Sequence, residues 1–134
     1  MFLAIVPGEC LSILYRNAHS LHYLDSNFSL KLFKQYQYLK INCAIIDNGN
    51  SYQIARWHGI SEALNWNIKT IQSVEWMNYF GVWPEDHAMM IEHWINVVKY
   101  RYPMMPAKPN NYEAILAACY LSDKNAKEEI GVYA

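Results

Sequence analysis

The clearest pattern in the chain is the alternation of residues between two faces from Leu39 to Trp57. Alternation from Leu39 to Ile46 has the period of two that is expected when one face of a strand is buried. Asn48-Gly49 follows shortly afterwards and is a preferred centre for a type I′ turn. A second alternating run then continues to Trp57. The pattern predicts a β-hairpin over residues 39–57.

Three short apolar runs precede this segment. Phe2 to Val6, Cys10 to Arg16 and Ser20 to Leu24 each fit a strand, and turn residues such as Pro7-Gly8 and Asn17-Ala18 separate them. Together they predict an antiparallel meander. Residues 28–37 favour a helix because their lysines fall opposite the apolar stripe, although the same residues also fit a strand.

The period changes after the predicted hairpin. Helical spacing predicts helices over Ile68–Phe80, Pro84–Tyr102 and Tyr112–Leu121, with a further helical turn from Ser122 to Glu129. The proline-rich stretch Pro103–Pro109 is too short to separate two domains. We therefore expect a single α+β domain spanning residues 1–134, in which an antiparallel N-terminal sheet (the meander plus the hairpin) packs against a helical C-terminal half.

Composition and charge narrow the partners that this chain can have. Hydrophobic residues make up 53% of the 134 residues and the formal net charge is -1, which makes nucleic acid an unlikely partner. No apolar run reaches the length of a membrane span, so we expect no membrane association. The three cysteines lack paired spacing, which indicates reduced thiols and favours a cytoplasmic location.

Motifs that carry catalysis or bind metal are not found in the sequence. His19 and His22 are three residues apart on a predicted strand, where their side chains point to opposite faces. His87 and Glu92 are five residues apart on a predicted helix and so miss the same face, and the zinc-binding motif His-Glu-x-x-His is absent. We therefore predict no catalytic residue, metal site or cofactor. The alternative that stays open is a Cys-His pair assembled in space, with Cys10 as the nucleophile and His19, His22 or His58 as its partner.

Aromatic content is the feature that points to a function. The chain has 11 Tyr, 5 Trp and 4 Phe, and Tyr and Trp dominate the energetics of protein interfaces. The aromatic residues expected to be exposed are Tyr36, Tyr38, Tyr52, Trp66, Trp76, Tyr79, Trp83, Tyr100 and Tyr102. Some of these stand near acidic residues, which predicts a partner-binding face made of Trp66, Glu75, Trp76, Tyr79, Trp83, Glu85, Asp86 and Glu92.

An acidic and aromatic face suits a basic partner. The leading hypothesis is therefore a small non-enzymatic module that occludes a protein partner stoichiometrically, as an immunity or inhibitor protein does with a basic toxin or nuclease. The alternatives are a small hydrolase or transferase with a Cys-His or His-carboxylate pair, and, third, a nucleic-acid-associated regulator. The hypotheses differ in whether exposed aromatic residues or a reactive side chain carry the function.

Overall fold

The architecture is a five-stranded sheet with helices on both faces. The computed structural model describes residues 1–133, with side chains as far as Lys127. The strands are β1 (Phe2–Val6), β2 (Cys10–Tyr15), β3 (Ala18–Tyr23), β4 (Asn42–Ile46) and β5 (Asn67–Ile71). A 3₁₀ helix spans Leu30–Tyr36, and the α-helices are α1 (Ser51–Ala63), α2 (Ser73–Phe80), α3 (His87–Arg101) and α4 (Tyr112–Tyr133).

The sheet is mixed, in the order β3-β2-β1-β4-β5. β1, β2 and β3 form the antiparallel meander that the sequence predicts, whereas β4 pairs in parallel with β1 and β5 in parallel with β4. The prediction of a wholly antiparallel N-terminal sheet is therefore wrong, although the combination of a sheet with a helical C-terminal half is confirmed. The chain reaches the second parallel strand through α1, the usual crossover for such a pair.

The predicted hairpin over residues 39–57 does not form. Only Gly49 adopts a positive φ at the expected turn, at 81°, whereas a type I′ turn needs a positive φ at both central residues. Asn50 instead caps α1, because its side-chain oxygen accepts a hydrogen bond from the backbone N–H of Gln53 at 3.4 Å. Residues 51–57 therefore begin a helix, whose Ile54, Trp57 and Ile60 turn towards the sheet.

Burial of β4 on both faces explains why its apolar pattern differs from that of a hairpin strand. Cys43 and Ile45 pack on one side of the sheet, and Ala44 and Ile46 pack on the other. Interior parallel strands are covered on both faces and consist of nearly continuous apolar residues. The run Cys43–Ile46 carried that signal, but the alternation around it suggested a strand with one buried face.

A second correction concerns the predicted helix over Ile68–Phe80. Its first part is the edge strand β5, and only Ser73–Phe80 is helical. Gln72, with extended backbone angles, separates the two. The β-branched residues of Asn67–Ile71 suit a strand, and register with β4 places Ile71 beside Ile46 in the core.

Other boundaries shift by a few residues or less. The two-residue turn between β2 and β3 is formed by Arg16 and Asn17, with φ of 53° and 65°, rather than by Asn17-Ala18. α3 begins at His87 instead of Pro84, because Asp86 is the capping residue. The predicted helix Tyr112–Leu121 and the predicted turn from Ser122 to Glu129 are one helix, α4, which ends at Tyr133.

Two apolar clusters lie on opposite faces of the sheet. We call the face covered by α2, α3 and α4 the three-helix side; its core includes Trp76, Trp94 and Ile115. The opposite face, covered by the 3₁₀ helix and α1, is called the α1 side, and its core includes Phe33, Trp57 and Trp66. The helices described in the structure include none that is long and apolar enough to cross a membrane.

Candidate functional site

Polar side chains collect where the parallel strands end. β1, β4 and β5 present their carboxyl ends at the same edge of the sheet, and the strand order reverses at β1. Such an edge is the usual ligand site of open α/β sheets. Asp47 follows β4 and accepts a hydrogen bond from the Gln72 side chain, which follows β5, at 2.9 Å. This edge of the sheet therefore brings polar side chains from separate strands together.

Glu113, in the first turn of α4, is the central acceptor near this edge. One of its carboxylate oxygens, Oε2, accepts hydrogen bonds from the Ser73 hydroxyl and, at 2.9 Å, from the Trp76 indole N–H. Burial of the Glu9 carboxyl and, to a smaller extent, the negative charge of Glu113 raise the pKa of Glu9. These bonds join α2 to α4 within the protein, which gives Glu113 a structural role.

The cysteines do not have the properties of nucleophiles. Cys10, Cys43 and Cys119 are all buried and free. Burial, reinforced for Cys10 by the charges of Glu9 and Glu113, raises the pKa of Cys10 to about 12, and burial raises that of Cys43 to about 12 as well. A thiol must ionise to attack a substrate, so these environments disfavour catalysis.

The Cys10-His pair suggested by the sequence is not formed. The Cys10 thiol donates to the backbone carbonyl of Asn110 at 3.2 Å. Its proposed imidazole partners bond elsewhere: His22 contacts Ser20, and His58 contacts Thr70. The third, His19, lies beside a different cysteine, Cys119.

A partly buried polar chain connects β2, β3 and α4 through His19. Ser12 Oγ lies 2.8 Å from His19 Nδ1, and His19 Nε2 lies 3.5 Å from Cys119 Sγ. The Cys119 thiol also donates to the Tyr102 hydroxyl at 3.3 Å. Burial lowers the pKa of His19 to about 4 and raises that of Cys119, so both groups are held neutral. The order Ser-His-Cys resembles a catalytic arrangement, but its ionisation states are those of a structural network.

Metal binding finds no support in the residues that the structure describes. Among them, no group of three or more His, Cys, Asp or Glu side chains could hold a metal ion. His19 faces α4 through its bond to Cys119, whereas His22 bonds to Ser20 on the other side of β3, as the strand pattern predicts.

The predicted partner-binding residues divide between the two sides of the sheet. Trp66 lies in the core of the α1 side, where its ring is 4.8 Å from that of Phe33. The other seven lie on the three-helix side, in α2, in the α2–α3 connection or in α3: Glu75, Trp76, Tyr79, Trp83, Glu85, Asp86 and Glu92. Trp66 therefore does not share a continuous face with the other seven residues.

Burial further separates these seven residues. Trp76 is only 1% exposed, and Trp66 on the other side is only 8% exposed, so the expectation that both are exposed is wrong. Glu75 and Tyr79 are half-buried and engage α4: Glu75 accepts from the Tyr120 hydroxyl at 2.8 Å, and the Tyr79 hydroxyl donates to Asp123 at 3.0 Å. Both side chains are used within the fold.

No protein-family model and no curated protein matches this chain.

The remaining predicted residues form an exposed surface between α2 and α3. Glu85, Asp86 and Glu92 are exposed, and Trp83 is half-buried with its ring centroid 6.0 Å from that of Trp94. The structure adds two apolar residues that sequence reasoning missed: Val82 is 93% exposed and Met89 is 58% exposed. We call Val82, Trp83, Glu85, Asp86 and Met89 the α2–α3 surface. Adjacency to Trp83 and to the cap of α3 was the signal that could have identified Val82 and Met89.

Proposed function

We propose that this chain is a protein-binding module that occludes a basic partner stoichiometrically through the α2–α3 surface. The observation that supports the proposal most directly is the nearly complete exposure of Val82 between two structured helices. Val82 and Met89, with the half-buried Trp83 between them in sequence, supply the apolar part of this interface, and the neighbouring carboxylates supply its polar rim.

The surface has an anchor and a charged rim. Trp83 is held against the buried Trp94, so its position is fixed before binding and little conformational entropy remains to be lost. Glu85 and Asp86 come after Pro84, the residue that follows Trp83, and both are exposed to solvent. Negative charge around an apolar anchor favours association with a positively charged protein and accelerates the encounter.

Enzymatic alternatives receive less support from the described residues. The cysteines are buried with raised pKa values, and the imidazole nearest to a thiol has a lowered pKa, the opposite of a thiolate-imidazolium pair. Within residues 1–127, no histidine forms an ion pair with a carboxylate. A binding function requires none of these groups to ionise.

Affinity capture followed by native mass spectrometry tests the proposal. The intact chain, expressed in its native host, should elute with one basic protein at a one-to-one ratio. Val82→Glu and Trp83→Ala should each reduce the captured amount at least about tenfold, because interface anchors cost about 2 kcal/mol or more when removed. Circular dichroism checks that each variant is folded.

Charge variants must spare the cap of α3. Asp86 Oδ1 accepts from the Met89 N–H at 3.0 Å, so Asp86→Asn is preferred over charge reversal because asparagine also caps helices. Glu85→Lys combined with Asp86→Asn should slow association and remove most of its salt dependence. The matched control is Tyr52→Glu, at a site on α1 that is 75% exposed. Equal capture by control and α2–α3 variants would reject the proposed surface.

A further inference from the structure

An open cavity of about 570 Å³ lies on the α1 side of the sheet. The 3₁₀ helix forms one wall, the C-terminal part of α1 forms another, and Ile41 and Trp66, which flank β4 and β5, line it as well. This volume lies within the range of about 300–1,000 Å³ that is usual for small-molecule sites. The cavity is separate from the α2–α3 surface, which is on the opposite side of the sheet.

The cavity has a buried floor and an apolar mouth. Phe33, Ile41 and Trp66 line it and are 5%, 4% and 8% exposed. The Phe33 and Trp66 rings meet edge to face, with 4.8 Å between their centroids. Leu30, Leu39 and Leu64 also line it, yet they are 41%, 39% and 45% exposed. An apolar ligand chain that covers these leucines would remove their surface from water, which is favourable.

The charged side chains that line the cavity are all positive. Lys31 and Lys34 are part of the lining, which includes no carboxylate among the residues described. Both lysines are exposed, and they stand on the same 3₁₀ helix. Within the described part of the chain neither forms an ion pair. Two uncompensated ammonium groups beside an apolar cavity favour a ligand that is apolar along its length and negative at one end.

We propose that this cavity binds an amphipathic anion, such as an alkyl carboxylate. Its hydrocarbon chain lies over Phe33 and Trp66, and its anionic group lies at the mouth beside Lys31 and Lys34. The charge of the lining excludes cationic amphiphiles as preferred ligands, and the apolar floor excludes small hydrophilic anions.

Isothermal titration of the full chain with dodecanoate, kept below its micellar concentration, tests the proposal. We expect saturable one-to-one binding. Dodecyltrimethylammonium, which has the same chain length and the opposite charge, should bind at least about tenfold more weakly, as should acetate, which lacks the chain. Equal affinity for dodecanoate and the cationic amphiphile would overturn the proposal, and so would the absence of a saturable one-to-one phase.

Three variants distinguish the cavity from nonspecific adsorption. Lys31→Gln with Lys34→Gln should weaken dodecanoate binding by about tenfold, because two partly exposed ion pairs are lost, while dodecanol binding stays unchanged. Leu64→Glu, at the exposed mouth, should abolish dodecanoate binding. Tyr52→Glu, also on α1 but outside the lining, is the matched control and should bind like the natural chain. If Leu64→Glu and Tyr52→Glu bind dodecanoate equally well, the cavity is not the site.

Discussion

The two sides of the sheet are covered to different extents. On the three-helix side, α4 lies across the central strands and is held by α2 and α3, and its residues from Ala114 to Cys119 are essentially inaccessible. On the α1 side, the connection between β3 and β4 contains only a seven-residue 3₁₀ helix, with the single helix α1 beside it. The cavity lies between those two elements.

The two sides also differ in how fully their side chains are packed and bonded. Where three helices fill the sheet face, the buried Ser12 and the half-buried His19 and Glu113 are bonded to one another or to neighbours. Where a short 3₁₀ helix replaces a longer helix, apolar side chains remain partly open to solvent. The middle of α4 therefore leaves no accessible side chain over the central strands, whereas the α1 side has space for a ligand between its two covering elements.

Truncation of one apolar residue on each side of the sheet should give the largest difference in lost stability. Ile115→Ala removes a completely buried side chain of α4 and should lower the free energy of unfolding by about 3–4 kcal/mol, because a cavity forms in a filled core. Leu64→Ala, at a position 45% exposed beside an existing cavity, should cost about 1 kcal/mol or less. Urea denaturation measures both; equal losses would contradict the contrast.

Acid should destabilise the three-helix side through His19. Burial lowers the pKa of His19 from 6.5 to about 4, so between these values the unfolded chain binds a proton that the folded chain excludes. The stabilisation is complete above about pH 6.5 and is lost as pH falls towards 4, amounting to about 2–3 kcal/mol.

The variant His19→Gln, whose amide does not titrate, should reduce this pH dependence. Denaturation midpoints measured from pH 7 to pH 4 should fall less steeply for His19→Gln than for the natural chain. His58→Gln is the control because His58 bonds to Thr70 at an exposed site on the α1 side. If both variants retain the full slope, His19 does not cause the loss.

Two buried tryptophans provide a matched test of the hydrogen bond to Glu113, with a smaller expected effect. Trp76 and Trp94 are 1% and 0% exposed, and their ring centroids are 5.0 Å apart. The Trp76 indole N–H donates to Glu113, whereas that of Trp94 has no partner among the described residues. Trp76→Phe should therefore destabilise the fold by about 1–2 kcal/mol more than Trp94→Phe. Thermal unfolding at neutral pH compares them; a larger loss for Trp94→Phe would contradict the assignment.

The cavity lysines should contribute least to folding. Lys31→Gln and Lys34→Gln should each change the free energy of unfolding by less than about 0.5 kcal/mol, since both side chains are exposed and neither forms an ion pair within the described part of the chain. Chemical denaturation checks this expectation. A loss above about 1 kcal/mol in either variant would mean that the lysines belong to the folded core of the α1 side.

Local patterns predicted the parts of the fold that depend on short-range interactions. The meander strands lie next to one another in the chain, and α3 has a strong N-terminal cap at Asp86 and a proline, Pro103, soon after its end. These features are visible in a few adjacent residues. The α-helical part of the chain after Ser73 was therefore largely predictable.

Long-range pairing was not predictable in the same way. β4 joins β1 across 40 residues of sequence, with Phe2 paired to Asn42, and β5 then joins β4. Asn48-Gly49 favoured a local hairpin, but the cap at Asn50 and the i, i+3 spacing of Ile54, Trp57 and Ile60 favoured the helix that forms. Tertiary burial of β4 on both faces decided between them.

The candidate surface was predicted only in part, because side-chain exposure depends on packing between distant elements. Trp76 is buried by α3 and α4, and Trp66 by the 3₁₀ helix, whereas Glu85 and Asp86 stay exposed between two helices. The local sequence around a tryptophan does not show whether a distant helix will cover its side chain.

Site-specific photocrosslinking most directly tests the claim that a protein partner covers the α2–α3 surface. A photoreactive amino acid replaces Val82 in one form of the chain and Tyr52 in another; the two positions are 93% and 75% exposed and belong to opposite sides of the sheet. After irradiation in the native host, the Val82 form should yield one covalent adduct with a basic protein at one-to-one stoichiometry, and the Tyr52 form should yield none. No adduct at Val82, or the same adduct from both positions, would contradict the account.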